Sequence, residues 1–134
     1  MEKLLRVENL CTGFASKIGN ERVMIEAVTG VSFCINRGES VALVGESGSG
    51  KSVTALSVMR LLDVPPAHIS ADMIEFGGTN VLELSEDDMR RVRGNEMSMI
   101  FQEPMTSLNP LFRIDDQIAE AVILHKGMTS REAL

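Results

Sequence analysis

The residues Gly45-Glu46-Ser47-Gly48-Ser49-Gly50-Lys51-Ser52 place an ammonium and a hydroxyl directly after a stretch in which three of six residues are glycine. Glycines at 45, 48 and 50 let the backbone adopt left-handed φ values and come close to a ligand, so that successive N–H groups point into one concavity. A concave row of N–H groups beside an ammonium is a receptor for phosphate oxygens. In that arrangement Lys51 reaches the β- and γ-phosphates of a nucleotide as a mobile point charge, and the Ser52 hydroxyl ligates a Mg2+ ion that bridges them. The pattern G-x-x-x-x-G-K-[ST] is met at every fixed position. Glu46 reads as an exposed loop carboxylate, because its charge would repel the phosphates if it turned inward.

The context that confirms such a loop is a strand before it and a helix after it. Ser40 to Val44 is a short apolar run ending at Gly45, and it reads as a central strand covered on both faces. Lys51 to Leu62 carries Ala55, Leu56, Val58, Met59 and Leu62 at helical spacing, with Pro65-Pro66 as the stop. The N-terminal end of that helix would aim its positive dipole at the phosphates. Upstream, Leu4–Leu10, Val23–Val28 and Val31–Ile35 read as strands, with a hairpin-like loop over Gly13–Arg22 and a turn at Asn36–Glu39. Downstream, Ile69–Phe76 reads as one strand before a Gly77-Gly78 turn. Ser85 with Asp88 opens a short helix through Arg93 that Gly94 ends. Met97–Phe101 reads as an apolar strand and residues 102–113 as a loop. Asp115 or Asp116 can cap a helix carrying Ile118, Ala119, Val122 and Ile123, and Thr129 with Glu132 forms a further capping box, its helix reaching Leu134.

Composition excludes several classes. With 134 residues, 44% hydrophobic and 24% charged, the chain has globular composition and the length of one ordinary domain. Thirteen basic against nineteen acidic side chains leave −6, which argues against nonspecific nucleic-acid binding. There is no Trp or Tyr, and only five Phe. No apolar stretch approaches the roughly 20 residues of a membrane span, and no apolar signal core follows Met1. Cys11 and Cys34 fit no metal spacing and read as buried thiols in a reducing compartment. Arg90, Arg91 and Arg93 read as a solvated basic face. His68 and His125 have no partners at catalytic or metal spacing, and the nine Met read mostly as core fill.

With the phosphate loop in place, further strings become informative. Met97 to Pro104, MSMIFQEP, resembles the strand and Q-loop of ATP-binding-cassette (ABC) transporter ATPases. The string IFQEPMTSLNP at Ile100 to Pro110 resembles their oligopeptide, dipeptide and nickel importer subfamily, glutathione importers included; VGESGSGKSVTAL at Val44 to Leu56 and LLRVENL at Leu4 to Leu10 point the same way. The resemblance covers essentially the whole chain. It implies an α/β fold of the P-loop NTPase type, in which an N-terminal antiparallel β subdomain meets the start of a RecA-like core. It implies ATP and Mg2+ as cofactors. Gln102 matches the Q-loop glutamine, which helps coordinate Mg2+ near the γ-phosphate and links the nucleotide site to membrane subunits. Phe14 matches the aromatic that stacks on adenine, a position where Tyr is common. Val53 stands where many members have Thr, so a backbone N–H can still meet an α-phosphate but a side-chain contact is lost.

The family's remaining machinery, namely the LSGGQ signature, the Walker B Asp, the catalytic Glu, the D-loop and the switch His, has no match between residues 103 and 134. The expectation is that residues 1–134 form the N-terminal part of an ABC nucleotide-binding domain, with Walker A at 45–52 and the Q-loop around 102. This part has no catalytic residue of its own and is truncated before the helical subdomain's signature. The resemblance implies ATP-driven uptake of peptides or similar small solutes. Its partners would be a second nucleotide-binding domain, the transmembrane permease subunits and, indirectly, a solute-binding protein, at the cytoplasmic face of the inner membrane. A non-catalytic nucleotide-binding fragment, or another P-loop NTPase or kinase, are the alternatives. A GTPase would require an N-K-x-D string, which is absent.

Overall fold

The computed structural model describes residues 2–103 and 107–133. They form two compact units, Met1–Leu84 and Ser85–Leu134.

The first unit is built on a long hairpin. Strands β1 (Lys3–Ile18) and β2 (Glu21–Asn36) pair antiparallel from Lys3↔Asn36 to Ile18↔Glu21. Gly19-Asn20 closes them, with Gly19 at φ +64 in the first turn position, as a two-residue II′ turn requires. The loop expected over Gly13–Arg22 is therefore strand up to this turn. Gly13 is buried, and a Cβ on it would lie 2.9 Å from Met24 Sδ. Its small size serves side-chain packing across the hairpin, not a change of chain direction. The two strands read separately over Val23–Val28 and Val31–Ile35 are one strand. Gly30, at φ +66, is absorbed as a bulge, and its N–H donates to Cys11 Sγ at 3.2 Å.

The opposite edge of β1 is shared. Cys11–Phe14 pair with β3 (Ala67–Ser70), and Leu5–Glu8 pair with β4 (Met73–Phe76), which continues to β5 (Thr79–Asn80). The single strand expected at Ile69–Phe76 is broken at Ala71-Asp72, so the two halves meet different stretches of β1. Val7, Leu10, Val28, Ala67, Ile74 and Val81 are buried together with Val58 and Met59 from helix α1 (Lys51–Val58) and its C-cap. Full burial of the Val, Leu, Ile and Met side chains among these contributes about 1.5–3 kcal/mol each.

Helix α1 stops before the prolines. Arg60 N–H donates to Ser57 O (3.0 Å) and Leu61 N–H to Leu56 O (2.9 Å), a Schellman closure with Arg60 left-handed at φ +51. Residues 40–44 form no strand. Val41, Leu43 and Val44 are exposed, the last by 85%. An apolar run becomes a central strand only where a neighbour offers a free ladder, and no described strand pairs with this run.

In the second unit Ser85 caps α2 (Glu86–Val92), its Oγ accepting from the Asp88 N–H at 3.1 Å, and Gly94 leaves the helix at φ +82. Both follow expectation. Met97–Phe101 carries only an isolated bridge from Met97 to Arg93, and Ile100 is exposed, so the strand expected there does not form. Helix α3 (Ile114–Lys126) has Arg113, not an aspartate, at its N-cap. Asp115 instead bonds back to the Arg113 guanidinium, which lowers its carboxyl pKa and raises that of the guanidinium. The Thr129–Glu132 box is formed at the head of α4 (Ser130–Ala133); Leu134 lies outside the described residues. Cys11 is half-buried and Cys34 exposed, against the expectation of two buried thiols. Met59 and Met89 are core residues, whereas Met24 and Met128 are exposed. No helix among the described residues is long and apolar enough to cross a membrane.

Candidate functional site

The phosphate-type loop stands at the head of α1, as its sequence requires. Gly48 and Gly50 both take left-handed backbone, φ +80 and +87. Gly50 is the N-cap of α1, no side chain caps the helix, and its first turn holds no acidic residue. The N-terminal N–H groups thus face the loop with their positive dipole uncompensated by protein carboxylate. The loop is tightly drawn, since a Cβ on Gly45 would fall 2.5 Å from Ser49 Oγ.

The Lys51 ammonium lies across the loop. It donates to Gly45 O at 2.8 Å, Glu46 O at 2.6 Å and Ser49 Oγ at 3.2 Å, which uses all three of its N–H bonds. The cation is thereby held within the loop, on neutral acceptors that phosphate oxygens can replace with stronger, charge-assisted bonds. Glu46 is exposed, and only its carbonyl contacts Lys51. Ser47 and Ser52 are exposed, while Val53 is half-buried, its carbonyl accepting from Ser57 Oγ at 2.7 Å.

Two contacts tie this loop to the sheet. Thr12↔Val28 and Gly13↔Glu26 skip Ala27, which bulges from β2. A Cβ on Gly50 would meet Ala27 O at 2.5 Å and Val28 Cγ2 at 3.2 Å. Behind it, Thr12 Oγ1 and Ser57 Oγ, both buried, are 2.8 Å apart. Neither contact was foreseen. A bulge residue has no sequence signature here, and a Thr and a Ser 45 positions apart give no signal of pairing.

Phe14 pairs with Ile25 on one side and Ala67 on the other. Residues two apart on a strand share a face, so Phe14 and Thr12 look to the side of the sheet on which α1 lies. The ring is half-buried. Gln102 is exposed and belongs to the second unit, whereas Phe14 and residues 45–53 belong to the first. Pro104 to Thr106, part of the string on which the Q-loop resemblance rests, lie outside the described residues.

The donor set suits ATP with Mg2+. Backbone N–H groups and one ammonium match phosphate oxygens. No group of three or more His, Cys, Asp or Glu able to hold a metal occurs among the described residues. Mg2+ needs none, because it is commonly held by one or two protein oxygens, phosphates and water. Arg90 and Arg91 reach Asp87 and Asp88 at 3.5 and 3.6 Å, and Arg93 reaches Glu86 at 2.7 Å. The basic cluster is an ion-paired helix surface.

The family model described as ABC transporter matches residues 28–133. The chain is 50% identical over 133 residues to the oligopeptide transport ATP-binding protein AppD of Bacillus subtilis (strain 168), covering 99% of this chain and 39% of that protein. It is 48% identical over 136 residues to the glutathione import ATP-binding protein GsiA of Escherichia coli (strain K12), covering 98% and 21%. The chain thus spans about two fifths or less of these relatives' length. Among solved structures, a dimeric post-hydrolysis state of the ATP-binding cassette MJ0796 bound to ADP and Pi superimposes with a TM-score of 0.68 at 22% identity, over 97% of this chain and 52% of that one, a likeness of fold. With a family model matching most of its length, the chain belongs to the ABC transporter family.

Proposed function

We propose that this chain is the N-terminal part of the nucleotide-binding domain of an importer's ATP-binding subunit, which couples ATP binding and hydrolysis to uptake of peptides or similar small solutes. The observation that carries the reading is the Lys51 ammonium held on Gly45 O, Glu46 O and Ser49 Oγ, at the uncapped N-terminus of α1. The similarity to peptide-type import proteins supports the solute class.

In this reading Gly45, Glu46, Ser47, Gly48, Ser49 and Gly50 wrap the phosphates with backbone N–H groups, and Val53 adds one at the α-phosphate. Lys51 exchanges its loop carbonyls for β- and γ-phosphate oxygens, and Phe14 stacks on the base. Ser52 would hold Mg2+, which would neutralise phosphate charge, and Gln102 keeps the Mg2+-coordinating role that the Q-loop resemblance implies. The groups that activate water and complete the second face of the site belong to a longer protein and its partner domain. Residues 1–134 alone therefore bind nucleotide weakly and do not turn it over. The assembly pairs two nucleotide-binding domains beneath permease subunits fed by a solute-binding protein. It sits peripherally on the cytoplasmic face of the inner membrane, and the region from Gln102 to Pro110 transmits closure to the permease.

Lys51→Ala in the full-length protein tests the assignment. The expected result is loss of ATP-driven uptake of a peptide solute, with the circular-dichroism melt unchanged. Uptake at the wild-type rate would overturn it.

A further inference from the structure

We infer that Thr12 and Ser57 are positioning residues that set the span between the Phe14 ring and the phosphate loop. The inference rests on the reading of Phe14 as the platform for the base. Thr12 is 1% and Ser57 0% exposed, and their hydroxyl oxygens are 2.8 Å apart. Ser57 spends its one proton on Val53 O at 2.7 Å, so Thr12 is the donor to Ser57 Oγ. The hydroxyls thus form a directed chain from β1 through Ser57 to the backbone of the first turn of α1.

Its place in the fold gives this chain its purpose. Thr12 precedes Phe14 by two residues on the same face of β1, and β1 is regular between them, since the extra residue of the local bulge, Ala27, is on β2. Ser57 lies on the helix whose first turn follows the phosphate loop, and Thr54 Oγ1 fastens that helix to Gly50 O at 2.9 Å. A purely structural seam would be served as well by two aliphatic side chains, because replacing both partners of a buried hydrogen bond by apolar groups of similar shape is nearly neutral. A hydrogen bond adds a fixed distance and direction. Here it fixes the strand that carries the ring against the helix that carries the cradle.

The test compares two probes on the full-length protein. ATP engages both ring and cradle, whereas tripolyphosphate engages the cradle alone. Thr12→Val should weaken ATP about three- to tenfold, the range set by loss of an aromatic contact, and leave tripolyphosphate affinity unchanged. Thr12→Ser should restore ATP affinity. Equal weakening of both probes, or of neither, would overturn the inference and leave Thr12 a core residue. Phe14→Ala separates the two readings. If it weakens ATP selectively while Thr12→Val does not, only the positioning role fails. If it leaves both probes unchanged, the base platform is misassigned and the positioning role falls with it.

Discussion

The carbonyl oxygen of Ala27 lies 2.5 Å from the point where a Cβ on Gly50 would sit, so the bulge of β2 and the last glycine of the phosphate loop are in backbone contact. Two constraints therefore meet at Gly50, a left-handed φ of +87 and the lack of room for a methyl group against main chain. Gly48 carries the first constraint alone, since nothing lies within 4 Å of its notional Cβ. Gly48→Ala should cost about 1–2 kcal/mol, the ordinary penalty of a left-handed L-residue. Gly50→Ala should cost more and also displace the loop, weakening phosphate binding. Urea melts with a tripolyphosphate titration check this; equal destabilisation by the two variants would show that the Ala27 contact yields freely.

Arg60 is left-handed where a glycine would be free of strain, and the reason lies in its side chain. Its guanidinium donates to Val81 O at 3.0 Å and Leu84 O at 2.7 Å, joining the end of α1 to the chain beyond β5. Arg60→Gly relieves about 1–2 kcal/mol of backbone cost but removes two bonds from a charged donor at about 1.5–3 kcal/mol each. The net should be destabilising by about 1–5 kcal/mol. A higher urea midpoint for the glycine variant would contradict this.

The glycine turn at the head of α1, the Ser85 and Thr129 caps and the Leu4–Leu10 part of β1 were legible because each depends on residues close in sequence. What was misread depended on partners far away. The 40–44 run is apolar enough for a central strand, but pattern alone does not supply a ladder. Gly13 looked like a turn, yet it is small because Met24 packs over it. Pro65-Pro66 looked like the helix stop, while α1 had already closed at Arg60. The Asp115 and Asp116 carboxylates sat correctly in the first turn of α3, but the cap position went to Arg113, whose guanidinium holds Asp115. Phe14 falls inside the loop expected over Gly13–Arg22, yet it lies on β1 between Ile25 and Ala67. The face it shares with Thr12 followed only from the register.

Gln117 gathers the loop before α3. Its Oε1 accepts from Asn109 N–H at 2.8 Å, and its Nε2 donates to Asn109 O at 2.9 Å and Phe112 O at 3.0 Å. Gln117→Ala should release residues 109–112, with faster amide exchange at Leu111 and Phe112 and little change in helix content. Gln117→Glu keeps the acceptor for Asn109 N–H but loses both donated bonds, so it should fall between the wild type and the alanine variant. Unchanged exchange in both variants would mean that the loop holds its shape without this side chain.

Glu132 gives the α4 turn its pH dependence. The Thr129 N–H donates to its carboxylate at 2.9 Å and the Thr129 hydroxyl at 2.7 Å. The backbone bond is the larger cause, and together they hold its carboxyl below the ordinary glutamate range. The charged form is favoured in the folded turn, so its stabilisation is present above the unfolded-state pKa. It is lost as pH falls through the lowered folded value. Nuclear magnetic resonance titration of the Thr129 amide should therefore show a transition more acidic than that of a free glutamate, with residues 130–133 fraying across it. Thr129→Val removes only the hydroxyl donor and should move the transition part of the way back. A transition at the ordinary glutamate value in the unaltered protein would show that the box does not hold in solution.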